Sequence, residues 1–70
     1  MTFSFHIVTP NGDVDLECND EIGEQVLRDL RDWNYIPFKV LLNTYNIDEK
    51  DIIEYHIFHD GIFTFMGGKF

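Results

Sequence analysis

Three groups of residues have the types and spacing that could support chemistry. His56-x-x-His59 supplies two imidazoles, which are common ligands for zinc and other transition metals. On a strand, however, positions i and i+3 point to opposite faces, and no cysteine or third histidine accompanies the pair at ligand spacing. Both therefore read as surface histidines, and no metal is expected. Cys18 is the single cysteine, and it could be a nucleophile only if exposed, ionised and next to a base. Its place in an alternating strand turns it inward, as a core thiol. Asp13, Asp15 and Glu17 alternate with apolar residues, so three carboxylates project from one strand face about 6.7 Å apart, twice the rise per residue. That spacing is similar to the spacing of phosphates along a nucleic-acid strand. With Asp20, Glu21 and Glu24 beyond them, they could form a decoy surface that occupies a basic nucleic-acid groove, as a phage-type inhibitor of a polymerase, nuclease or repair enzyme would. The same charges on an edge strand also discourage sheet-to-sheet aggregation. No glycine-rich phosphate loop, no G-x-S-x-G and no pair of inward carboxylates occurs. The residues point to binding, with no catalytic residue and no cofactor.

Size and charge narrow the partners. Seventy residues make one domain that buries only about 60% of the surface its unfolded chain exposes, which leaves little room for an enclosed active site. The apolar fraction of 44% and aromatic fraction of 16% are too high for a disordered chain. A formal charge of -8 repels phosphate backbones and anionic lipid, and attracts a basic protein or one whose usual ligand is nucleic acid. The lone cysteine fits a reducing compartment, and neither a secretory leader nor a membrane-length apolar run is evident. A cytoplasmic location is expected.

These residues are positioned by a small set of elements. Phe3, Phe5 and Ile7 alternate with Ser4, His6 and Val8; Val14, Leu16 and Cys18 alternate with Asp13, Asp15 and Glu17. This is the period of two half-buried strands. A type I′ turn at Asn11-Gly12 would pair residues whose numbers sum to about 23, setting Ile7 against Leu16, Phe5 against Cys18 and His6 against Glu17. Asn19 or Asp20 caps a helix whose apolar stripe is Ile22, Val26, Leu30 and Trp33, with Gly23 as a local cost. Pro37 ends it, and Phe38 to Leu42 reads as a short strand. Residues 48 to 55 are mixed, with one helical turn around Asp51 to Glu54. His59-Asp60-Gly61 is a turn, and Phe63 and Phe65 alternate with Thr64 and Met66 in a last strand ending at Gly67-Gly68. The result is an α+β roll, β-β-α-β-β, with one helix on a mixed sheet and a last strand that can lie beside the first; the pattern alone also permits a ferredoxin-like half or another ββαβ roll.

Three stretches resemble the ubiquitin-like β-grasp family, nearly end to end. MTFSFHIVTPNGDVDLEC looks like its first hairpin. DEIGEQVLRDLRDWNYIP is similar to its helix, from the Asp-x-Ile opening to the closing Ile-Pro. VLLNTYNIDE through IIEYHI to Gly67-Gly68 is similar to its later strands and end. The resemblance implies a β-grasp domain over residues 1–70 without catalytic activity, binding proteins through an apolar patch on the outer sheet face. Carried over by position, that patch is Val8, Leu41 and Met66, with His6 and Thr64 at its rim. It also implies an alternative, a conjugable modifier or sulfur carrier. There Gly67 and Gly68 would form an activated C-terminus after removal of Lys69-Phe70, although the diglycine follows the last strand more closely than in conjugating members.

Overall fold

The computed structural model describes residues 2–68. Four strands and two helices follow in the order β1 (Thr2–Thr9), β2 (Gly12–Asn19), α1 (Asp20–Arg31), α2 (Ile36–Thr44), β3 (Glu54–His59) and β4 (Ile62–Gly67), with one 3-10 turn at Glu49–Asp51 before β3. The strands form one antiparallel sheet in the order β2-β1-β3-β4, and the helices cover one of its faces. The fold class is α+β, as expected, but the chain path differs from the expected roll in three places.

The first is the hairpin register. Thr9 pairs with Gly12, Ile7 with Val14, Phe5 with Leu16 and Phe3 with Cys18, so the loop is Pro10-Asn11, not Asn11-Gly12. Proline fixes φ near −65° and so suits the first loop position, while Gly12 takes the left-handed value, φ 124°. The slip is two residues, an even number, so every side chain keeps the face that alternation assigns it. His6 meets Asp15 in place of Glu17.

The second is the segment after Pro37. Residues Phe38 to Leu42 are helical, not a strand, because Pro37 lies in the first turn of α2, where its missing N–H costs nothing. Phe38, Leu41 and Leu42 then fall on one buried side at the i, i+3, i+4 spacing of a helix. Leu41, expected on the exposed patch, is a core residue only 8% exposed.

The third is the final hairpin. Tyr55 and Ile57 face the core from β3, a strand where a helical turn had been expected near Glu54. His59 pairs with Ile62 across Asp60-Gly61, both at positive φ (52° and 82°), the two-residue turn such hairpins favour. β1 is flanked by β2 and β3, and the last strand lies at the sheet edge instead of beside the first.

The core lies between the layers: Phe3, Phe5, Ile7 and Leu16 from the first hairpin, Val26, Leu27 and Leu30 from α1, Phe38, Leu41 and Leu42 from α2, and Ile52, Tyr55 and Ile57 from the return. Asn19 caps α1 by accepting the Ile22 N–H at 2.9 Å, and α1 crosses β1 at Gly23, where a Cβ would strike the Phe3 ring. The helix ends in a Schellman motif. The Trp33 N–H donates to the Leu30 carbonyl at 3.1 Å, and the Asn34 N–H to that of Asp29 at 2.8 Å. The left-handed residue of that motif is usually glycine; here it is Trp33, at φ 63° and 81% exposed. It had been expected on the apolar stripe of the helix.

Candidate functional site

Because both helices pack on one face of the sheet, its other face is open, and cross-strand pairing arranges that face in rows. One row runs Asp15, His6, His56, Met66; the next runs Glu17, Ser4, Phe58, Phe63; a third runs Asp13, Val8, Glu54. The first two rows change from acid on β2 to apolar on β4. Phe63 and Met66 are each more than half exposed. Phe63 meets Phe58 edge-on at 5.8 Å and His56 at 6.3 Å between ring centroids.

Phe63 reaches this face through a bulge. Ile57 pairs with Phe65, but Phe58 pairs with Phe63, so Thr64 is an extra residue in β4 and the alternation reverses there. Strict period two would turn Phe63 inward with Phe65. Sequence reasoning missed Phe63 for that reason, and it missed Phe58 because β3 itself had not been recognised. The signal for Phe58 was present: it alternates with Tyr55 and Ile57, two of the most buried residues in the chain.

Of the residues expected in the patch, Met66 sits at the apolar end of the face, beside His56. Val8 is half-buried in the neighbouring row next to Glu54. Leu41 is excluded, since it lies in the core on the other side of the sheet. His6 occupies the middle of the face, not its rim, and Thr64 lies at the bulge with its hydroxyl donating to the Ile62 carbonyl at 3.0 Å.

The acidic end is also organised. His6 Nδ1 lies 2.6 Å from an Asp15 carboxylate oxygen and Nε2 lies 3.1 Å from Asp13. The hydrogen bond to Asp15 is the largest influence on His6 and, together with the charges of both carboxylates, raises its pKa above the ordinary 6.5 against the opposing effect of desolvation. Asp13, Asp15 and Glu17 are all exposed, with a histidine clamped between two of them.

The other candidates fall elsewhere. His56 and His59 point to opposite faces as expected, but His59 is not a plain surface histidine: on the helix-covered face it stacks on Phe3 at 4.1 Å, rings 9° from parallel. Its Nε2 lies 3.3 Å from Asp20 Oδ1 and 3.7 Å from Asp60 Oδ2. These three could each offer one ligand atom to a cation, within 4.8 Å of one another, and each side chain is about a third exposed. Cys18 is half-buried, and burial, with a contribution from the Asp20 charge, pushes its thiol pKa up, away from nucleophilic use. Gly67 closes β4 opposite Tyr55, where a Cβ would strike the Tyr55 ring. Gly68 is exposed just beyond it, and Lys69 and Phe70 lie outside the described residues. Among the described residues no helix is long and apolar enough to cross a membrane.

Compared with protein-family models, with curated proteins and with solved structures, the chain matches none.

Proposed function

We propose that this chain is a non-enzymatic protein-binding module that docks its partner on the open face of the sheet. The observation that carries this reading is the pair Phe63 and Met66, each over half exposed, side by side with Phe58 and His56 on a face that no helix covers. Fully burying a Phe or Met side chain is worth about 1.5 to 3 kcal/mol, so covering these two supplies a large share of an interface's affinity. The carboxylates at the other end of the rows define the partner's chemistry: an apolar contact flanked by Lys or Arg, as on a nucleic-acid-binding protein.

A ubiquitin-like kinship would place the contact on the same sheet face. The two-layer α+β build is compatible with it, while the antiparallel β1–β3 pairing and the edge position of β4 are not what that kinship leads one to expect. As for a modifier or sulfur carrier, the packing of Gly67 on Tyr55 gives that glycine a structural reason of its own, so simple binding is favoured. The acidic face supports a decoy reading as well, and the experiment separates the two.

Affinity capture from the native cell with the parent, with Met66→Asp and Phe63→Asp, and with Asp13→Asn/Asp15→Asn/Glu17→Gln decides the matter. A partner held by the parent and lost from the first two variants, with circular dichroism unchanged, supports the sheet-face reading. Loss only from the acid-neutralised variant, with steep salt dependence, indicates a nucleic-acid decoy instead. Capture that survives all of these substitutions overturns both.

A further inference from the structure

A second docking surface lies away from the open sheet face, where the edge of β2 meets both helices. A groove of about 800 Å³ runs there, with walls that include Ile22 of α1, Ile36 and Val40 of α2, and Tyr45, and with Cys18 also lining it. Ile22 and Tyr45 are each 46% exposed, Val40 61% and Ile36 68%, so four large apolar side chains border one concavity, of the size that ligand sites have. The charged residues that line it are Glu17 and Glu21, both on the β2 and α1 side; no Lys or Arg is among the described lining residues.

The backbone limits what can enter. The outward carbonyl of Glu17 accepts a hydrogen bond from the Tyr45 hydroxyl at 3.2 Å. A strand added along the β2 edge would need that carbonyl. A helix satisfies its own backbone and needs only apolar side chains at i, i+3, i+4 and i+7 to fill the groove. We propose that this groove receives an amphipathic helix of a partner protein, with its apolar stripe on Ile22, Ile36 and Val40 and its Lys or Arg residues against Glu17 and Glu21. The groove shares Glu17 with the open face, but its apolar walls are separate, so Val40→Asp and Ile36→Asp test this site alone.

The test uses the intact, isotope-labelled protein and, as probe, a leucine–lysine amphipathic peptide of about five helical turns. A scrambled peptide of equal composition and charge serves as control. Saturable amide shifts at Ile22, Gln25, Val40 and Thr44, together with slowed alkylation of Cys18, are expected. Val40→Asp and Ile36→Asp, both at exposed positions, should each weaken binding about tenfold or more, the loss expected for an apolar contact of about 1.4 kcal/mol or more. Glu17→Gln/Glu21→Gln should weaken it severalfold and flatten its salt dependence. Equal binding of the scrambled peptide, shifts confined to Phe63 and Met66, unchanged affinity in Val40→Asp, or no saturable binding would each overturn the proposal.

Discussion

Replacing Gly23 with alanine should destabilise the protein, although in an ordinary helix interior the same change is stabilising by about 1 kcal/mol. The difference comes from the crossing of α1 over β1. An alanine Cβ would fall on the ring of Phe3, which is 1% exposed and held on its other side by the stacked His59 ring. Phe3 cannot swing away, so the helix must lift. Overpacking of this kind costs about 1 to 3 kcal/mol, and a blocked, wholly buried ring places it near the top of that range. Subtracting the helix gain leaves a net loss of about 2 kcal/mol. With a urea m-value near 1 kcal/mol/M for so small a domain, the midpoint should fall by about 2 M. Urea titration followed by far-UV circular dichroism measures this, with Glu24→Ala on the exposed side of the same helix as the reference. A Gly23→Ala midpoint equal to or above the parent's would refute the close approach of α1 to β1.

Trp33→Gly should be more stable than the parent by about 1 kcal/mol, because glycine adopts the left-handed cap of the Schellman motif without strain and the exposed indole packs little; the same urea titration reads it. The raised pKa of His6 carries a sign. Its contribution to stability is complete below about 6.5 and is lost as pH climbs through the raised folded value. The urea midpoint should therefore decline through that window in the parent and decline less in His6→Asn. Leu41→Ala should cost about 2 to 5 kcal/mol and Met66→Ala a small fraction of that, a contrast that thermal melts of the two variants will check.

Alternation in the first hairpin makes both faces legible before any register is known, because the even slip between the Asn11-Gly12 turn and the observed Pro10-Asn11 loop leaves the faces unchanged. Asn19 and the stripe Ile22, Val26, Leu30 likewise fix α1. Leu41 was misplaced because Phe-Lys-Val-Leu-Leu is short enough to satisfy either period, and Pro37 is as much a helix opener as a helix breaker. The apolar end of the open face was legible at Met66 and hidden at Phe63, since a bulge leaves no mark in the hydrophobic pattern. The clamp on His6 was read in kind, a cross-strand histidine–carboxylate pair, but assigned to Glu17 because that pairing follows the register.

The two free edges of the sheet are unlike, and this bears on stoichiometry. Along β2 the carboxylates of Asp13, Asp15 and Glu17 stand out and Tyr45 already holds the Glu17 carbonyl, whereas β4 reads Ile-Phe-Thr-Phe-Met-Gly with no charge to repel a neighbouring strand. A filament needs two adhesive edges per molecule, and the charge along β2 disfavours one of them. Edge-to-edge association of this sheet is therefore expected to favour pairs over fibres, and the Thr64 bulge in β4 weakens even the paired form.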